Sequence, residues 1–324
     1  MSQGDLMEMV NVEHLTKLFP LRKRLFSREK HYVYAVDDVS FKIEKGKIMG
    51  LVGESGCGKT TTAKLLVRLL DPTSGNIYIK NENIADLRGK ELKKFRKNIQ
   101  MIFQDPYESL NPRFIVHDTV AEPLIAQGLY NTEKIYNALE VVGLKPPEEF
   151  LFRYSHELSG GQRQRVAIAR ALVIDPIFVV ADEPTSMLDV SIRADVLNLL
   201  LALRKKFDLT VLFVTHDLAV ARYMCDSIAV MYLGKIVERG NAEEIIKNPK
   251  HPYTKALLSA VPIPNPKAKR KRIKIGERVS DAVNPPERCR FYERCNYKKD
   301  ICKRKYPKLI ECCKDHFVAC HLYG

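Results

Sequence analysis

Gly53-Glu-Ser-Gly-Cys-Gly-Lys-Thr60 stands between an apolar run, Ile48 to Val52, and a stretch with helical spacing, Thr60 to Leu70. That order of strand, glycine-rich loop and helix decides the fold, because it meets the pattern GxxxxGK[ST] at every position. Such a loop points backbone N–H groups inward around phosphates, in conformations that residues with a Cβ resist. Gly53, Gly56 and Gly58 supply the freedom, Lys59 a positive charge for β- and γ-phosphates, and Thr60 a hydroxyl for a divalent cation. The following helix directs its positive end at the same phosphates. With Glu54, Ser55, Cys57 and Thr61, these residues form the first candidate nucleotide site. Cys57 falls at a variable position, and its side chain takes no assigned role. The competing reading is a chance glycine-rich turn, and agreement at every position between a strand and a helix argues against it.

Working outward, further short apolar runs recur with helical stretches between them: Ile99 to Phe103, Ile177 to Ala181, Thr210 to Val214 and Ser227 to Tyr232. Runs this short and continuous suit strands covered on both faces, as in a parallel sheet. A helix is predicted over Gly161 to Ile174, opening at Ser159-Gly160, and Ile135, Leu139 and Val142 place an apolar stripe on another. Together these predict an α/β nucleotide-binding core with a mostly helical insertion over about 105–175. Val10 to Leu15 and Val39 to Ile43 read as strands flanking a basic loop, Arg22 to Lys30. Pro262, Pro264 and Pro266, followed by a basic run, mark the end of the core. The short cysteine-rich segment beyond is expected to depend on a ligand for its order.

Composition bounds the function. The 324 residues are 45% hydrophobic and 28% charged, as in an ordinary globular protein large enough for a full α/β core. No run approaches the roughly 20 apolar residues that span a bilayer; Ala171 to Ala181 comes nearest and is broken by Asp175-Pro176. Nor does the chain open on a basic-then-apolar leader, so a cytoplasmic protein is expected, with membrane contact only through partners. The formal net charge is +14. Its densest run, Lys267 to Lys274, has no aromatic residue interleaved and reads first as a solvated linker. Attraction to an anionic leaflet is the second reading, at about 1 kcal/mol per basic residue near the surface, and nucleic acid is the third.

Two further constellations carry chemistry. The strand at Ile177 to Ala181 ends on Asp182-Glu183, at the strand end where open α/β sheets place ligands. Asp182 is the candidate to hold Mg²⁺, and Glu183 the general base that polarises an attacking water. A solvated strand end is the bland reading of such a pair, and a preceding phosphate loop outweighs it. Leu158-Ser-Gly-Gly-Gln162 lies too far downstream to belong to the loop at 53–60. Its plain reading is a helix start with an N-cap serine, and bare N–H groups at such a start also suit a γ-phosphate.

With these motifs the chain resembles the ATPase subunits of ATP-binding-cassette transporters over roughly 10–262. The resemblance implies a phosphate-loop NTPase (RecA-like) core with an N-terminal antiparallel β subdomain and a helical signature subdomain, followed by a small cysteine-rich C-terminal extension. The expected division is 8–262 for the ATP-binding domain and 263–324 for the extension. In that family Ser159, Gly161 and Gln162 would face the ATP of an opposing subunit. Gln104 would contact Mg²⁺ and sense a transmembrane partner, and His216 would contact the γ-phosphate and support the catalytic carboxylate. Ser186-Met187-Leu188-Asp189 matches the loop that crosses the dimer interface, with Met187 a departure. Phe19 stands where the family places an aromatic against adenine; Tyr32 and Tyr34 compete for that role, as does a plain core position for Phe19.

His251-Pro-Tyr-Thr-Lys-Ala-Leu-Leu-Ser-Ala-Val-Pro262 and the basic insertion Leu21 to Lys30 resemble the oligopeptide/dipeptide-permease branch. So does the tail with Cys289, Cys295, Cys302 and Cys320. In a chain without an export signal, clustered cysteines read as metal or redox chemistry before disulfides. Their spacing lacks the paired C-x₂-C of structural zinc. Four thiolates can hold a [4Fe–4S] cluster, which the branch also implies; zinc is the alternative and free thiols the plain reading. Cys312 and Cys313 depart from the branch pattern.

The resemblance implies ATP and Mg²⁺, two transmembrane permease subunits, a second homologous ATPase and an extracytoplasmic solute-binding protein, with no nucleic acid. Relatives of the branch import peptides, oligosaccharides or nickel. The alternative is a soluble cassette ATPase acting on DNA or ribosomes. Such chains carry paired cassettes or long coiled coils, and neither is legible here.

Overall fold

The structure, a computed structural model, describes residues 7–21, 30–261, 273, 275–276 and 282–324. The basic loop at 22–29 and the prolines at 262, 264 and 266 lie outside the described residues, as does the basic run 267–274 apart from Ile273. The strands are β1 (Glu8–Pro20), β2 (Tyr32–Glu44), β3 (Ile48–Val52), β4 (Ser74–Ile79), β5 (Glu82–Asn83) and β6 (Ile99–Ile102). They continue with β7 (Phe178–Asp182), β8 (Thr210–Thr215), β9 (Ser227–Tyr232), β10 (Lys235–Asn241), β11 (Ile310–Cys313) and β12 (His316–Val318). The described residues form two compact units, one of 7–9, 43–47 and 86–213, the other of 10–42, 48–85 and 214–324.

In the second unit β3 pairs parallel with β9, Leu51 opposite Ala229, and every residue of β3 is buried. A strand buried on both faces needs apolar residues throughout, which is why Ile48 to Val52 carries no alternation. β9 turns back into β10 through Leu233-Gly234, both at positive φ (43° and 81°). Such a primed turn matches the strand twist, and glycine takes its second position without strain. β12 and then β11 continue the ladder antiparallel, with Glu238 opposite Val318 and Ile310 opposite Val318.

A separate antiparallel sheet runs β2-β1-β4-β5. β1 and β2 reach 13 residues each, well past Val10 to Leu15 and Val39 to Ile43. The register of β1 against β4 shifts between Glu13 and Thr16, and His14 and Asp38 adopt positive φ. A bulge of this kind breaks the period-two alternation, so the pattern reveals only part of each strand.

The cysteine-rich extension packs against the rest of this unit. Phe291 is 1% exposed and joins a core with Val52, Tyr232, Val237, Ile245 and Tyr253. Burying such a ring contributes about 1.5–3 kcal/mol. Val283 forms a β-bridge to Val33 of β2, and Arg290 forms an ion pair with Asp37.

In the first unit β6 pairs parallel with β7, Ile99 opposite Phe178 and Ile102 opposite Ala181. The helices Val116–Gln127, Thr132–Val141 and Gly160–Leu172 pack together as the expected helical region. Ile135, Leu139 and Val142 are fully buried, as the stripe predicts. Among the described residues no helix is long and apolar enough to cross a membrane.

Candidate functional site

The phosphate loop leaves β3 and enters the helix Lys59–Leu66, whose N-cap is Gly58 at φ 110° with no side-chain cap. A Cβ on Gly58 would meet the Ala35 carbonyl oxygen at 2.1 Å, and one on Gly53 the Met231 carbonyl oxygen at 2.2 Å. Backbone oxygens this near cannot give way, so both positions require glycine. Lys59 is 5% exposed. Its Nζ reaches back across the loop to donate to the carbonyl oxygens of Gly53 (2.7 Å) and Glu54 (2.9 Å). The ammonium therefore sits inside the ring of backbone that a phosphate would enter. Ser55, Gly56 and Thr60 are exposed, and Thr61 is half-buried. Burial pushes the Cys57 thiol up, which leaves it an inert packing group.

The loop has further support within its unit. The Glu54 N–H donates to Tyr253 Oη at 2.8 Å, and the Glu54 carboxylate accepts from Arg294 Nη1 (2.7 Å) and Nη2 (2.9 Å). Tyr253 is held in turn by His251, whose Nδ1 accepts the Tyr253 N–H at 3.1 Å and caps the helix Pro252–Ala260. Burial lowers the His251 pKa to about 4, so the ring stays neutral and can accept. Glu238, fully buried, accepts from the backbone N–H groups of Lys250 and His251 and pairs with His316 at 2.8 Å. Residue-by-residue reading of the loop missed Tyr253 and Arg294. Tyr253 lies in a segment noted as a branch marker, whereas Arg294 is 240 residues from its partner and gives no local signal.

His216 is exposed just beyond β8, and Asp217 caps the helix Leu218–Met224 by accepting from the Ala219 N–H at 2.8 Å. Phe19 is half-buried in β1 with Lys17 Nζ 5.2 Å from its ring centre. Of its competitors, Tyr34 has Arg290 over its ring and Tyr32 donates its N–H to Asn284.

In the first unit Asp182 ends β7 and is 2% exposed. Glu183 follows at φ 44°, a left-handed conformation that costs a non-glycine residue about 1–3 kcal/mol. Gln104 Nε2 lies 3.5 Å from Glu183 Oε2, so the structure brings these two predicted residues together. The turn is fixed by Ser186, whose N–H and Oγ both donate to the Glu183 carbonyl oxygen. Ser159 caps the helix Gly160–Leu172 through a reciprocal box: the Gln162 N–H donates to Ser159 Oγ (3.3 Å), and the Ser159 N–H to Gln162 Oε1 (3.0 Å). A Cβ on Gly161 would stand 2.7 Å from Ile192 Cγ2.

The residues expected to hold a divalent cation each offer a hard oxygen group, Thr60 in one unit and Asp182 and Gln104 in the other, and Asp182 lies buried at a strand end. That chemistry fits Mg²⁺. The cysteines differ. Among the described residues no three His, Cys, Asp or Glu side chains are arranged to hold a metal ion. The coordination sphere expected at Cys289, Cys295, Cys302 and Cys320 is therefore not formed. Burial raises Cys289 to about 12 and raises Cys295 and Cys320 as well, so these are protonated thiols in a desolvated cluster.

A family model described as "ABC transporter" matches residues 36–186, and one described as "Oligopeptide/dipeptide transporter, C-terminal region" matches 237–302. An oligopeptide transport ATP-binding protein, AppF of Bacillus subtilis, is 47% identical, with 100% of this chain and 99% of that protein covered. A dipeptide transport ATP-binding protein, DppF of Haemophilus influenzae, is 44% identical with 96% of each covered. Among solved structures, a dimeric ATP-binding cassette in a post-hydrolysis state bound to ADP and Pi is 32% identical with a TM-score of 0.63. It covers 72% of this chain and 99% of its own. These relatives support the transporter reading and not the soluble alternative.

Proposed function

This chain belongs to the ATP-binding subunits of oligopeptide/dipeptide-type ABC transporters, and we propose that it drives import of peptides or related solutes by cycles of ATP binding and hydrolysis. The single observation that carries this is the phosphate loop, where Gly58 opens an uncapped helix start and Lys59 lies buried across its own loop. Lys59 and the loop N–H groups bind the β- and γ-phosphates, and Phe19 stacks on adenine. Thr60, Asp182 and Gln104 would hold Mg²⁺, which supplies neutralising charge to the phosphate oxygens. Glu183 orients a water for in-line attack on the γ-phosphorus; the bond to the β–γ bridging oxygen breaks, giving ADP and phosphate. His216 supports Glu183 and the γ-phosphate. Ser159, Gly161 and Gln162 serve the ATP of an opposing ATPase subunit.

The proposed partners are two permease subunits, a second ATPase and a solute-binding protein, with this chain peripheral on the cytoplasmic face of the membrane. Exposed Tyr107, Ile125, Phe152 and Tyr154, all within the helical region 105–175, support a partner surface there. Tyr107 is presented by a turn that Asp105 caps at 2.7 Å, with the Arg163 guanidinium 3.7 Å from its ring centre.

Glu183→Gln tests the assignment. It is expected to preserve ATP binding and abolish steady-state phosphate release, and full turnover in the variant would refute it. Uptake of labelled peptides by vesicles carrying the complete complex tests the cargo. A second reading concerns the tail, where the N–H groups of Tyr297 and Lys299 donate to Cys295 Sγ and Cys302 Sγ at 3.4 Å. Such N–H groups would also donate to cluster-bound sulfur, so the second proposal is a [4Fe–4S] cluster held by Cys289, Cys295, Cys302 and Cys320, which would have to draw the four thiols together and deprotonate them. Iron and sulfide analysis of anaerobically purified protein decides it, and a colourless protein rejects it.

A further inference from the structure

Glu54 is an unusual neighbour for phosphates. It places a carboxylate inside a loop whose N–H groups, lysine and helix start all favour an anion. An acid there repels the ligand unless something neutralises it and turns it aside. Arg294 does both. Its two terminal nitrogens meet the two carboxylate oxygens at 2.7 and 2.9 Å in a parallel fork. That geometry gives direction as well as charge.

The guanidinium is itself held. Its side chain is 10% exposed, Nε donates to the Gly276 carbonyl oxygen at 3.1 Å, and Nη1 lies 3.5 Å from Tyr232 Oη. Three residues earlier, Phe291 is anchored in contact with the rings of Tyr232 and Tyr253. Tyr253 Oη takes the Glu54 N–H, so the same aromatic group fixes both the main chain and the side chain of this loop residue. Donating to the Glu54 carboxylate holds the Arg294 pKa above its ordinary range, so the guanidinium keeps its charge.

We propose that Arg294 is a positioning residue for the nucleotide: from the C-terminal extension it masks the Glu54 charge and holds the phosphate loop in its binding conformation. The proposal rests on the nucleotide reading above. It makes the extension, residues later than the cassette motifs, a working part of the ATP site.

Equilibrium binding of MgATP to the full chain, with melting temperatures recorded alongside, tests it. Arg294→Gln is expected to weaken binding about 10-fold or more by leaving the carboxylate unpaired, raising KM for ATP more than it lowers kcat. Glu54→Gln removes the repelling charge, so combined with Arg294→Gln it is expected to recover most of the affinity that Arg294→Gln alone loses. A role in packing alone predicts no such rescue. Arg294→Lys keeps the charge without the fork and is expected to lose about 3-fold. If Arg294→Gln does not fold, Arg294→Lys decides, and wild-type affinity there overturns the proposal. Wild-type affinity in Arg294→Gln, or failure of Glu54→Gln to restore it, also overturns the proposal. A wild-type chain that binds no MgATP instead overturns the nucleotide reading itself.

Discussion

The chain has two glycine-rich helix starts, and they use glycine for opposite purposes. At Gly58 the residue is needed for its conformation: φ is 110°, the helix has no side-chain cap, and the loop N–H groups keep their donor capacity for an incoming anion. At Gly161 the residue is needed for its small size, because Ile192 presses where a Cβ would be. That second helix is already capped, Ser159 and Gln162 satisfying each other's N–H groups. One start is built to receive a ligand within its own chain. The other is complete in the isolated chain, and a ligand there must share or replace the Ser159 hydrogen bond. Similar composition thus conceals two designs, and only backbone angle and capping tell them apart.

The comparison can be broken most forcefully at Gly58. Gly58→Ala is expected to lower ATP affinity more than about 100-fold, since both the conformation and the Ala35 carbonyl forbid a methyl group; titration of a labelled nucleotide measures it. Acid offers the next separation, because His251 stands behind the first loop only. Its pKa is about 4 when folded, against about 6.5 unfolded, so the unfolded chain binds the extra proton between those values. The contribution to stability is whole above pH 6.5 and falls as pH drops toward 4, by about 3 kcal/mol across the window. Urea melts at pH 7 and pH 5 should show the loss. His251→Asn, whose side chain can still cap Tyr253 but does not titrate, should flatten it.

Gly161→Ala is expected to cost about 1–3 kcal/mol by overpacking, and Ile192→Ala should recover most of it, as no second substitution could at Gly58. Ser159→Ala gives the smallest effect, about 1 kcal/mol in chemical denaturation from the lost cap. A larger fall in ATP turnover than in stability would place that hydroxyl in catalysis as well.

What was legible in the sequence follows from the range of the forces involved. β3 and β9 were read with their bounds because a strand buried on both faces is a continuous apolar run. The signature helix was recognised by its serine cap and glycines, which are local chemistry. β1 and β2 were seen only in part, since the bulge near His14 and Asp38 interrupts their alternation. β10, β11 and β12 were missed. Leu233-Gly234 lacks the Asn or Asp that announces a hairpin, and β12 exists only by pairing with a distant strand. The cysteine spacing could be read, but not that neighbouring walls would desolvate the thiols. For the same reason the pairing of Glu54 with Arg294, 240 residues away, left no trace in the sequence.

The ladder of β10, β12 and β11 has a consequence of its own. Without β12, β10 would present its hydrogen-bonding groups on the side away from β9, and an open edge of that kind invites any other strand to join it. Here the chain's own tail takes that place, and the new margin at β11 is four residues long, bears Glu311, and ends close to Lys314 and Asp315. Short, charged margins discourage further strands from adding on. The C-terminal segment thereby exchanges the longer edge of β10 for a short, charged one.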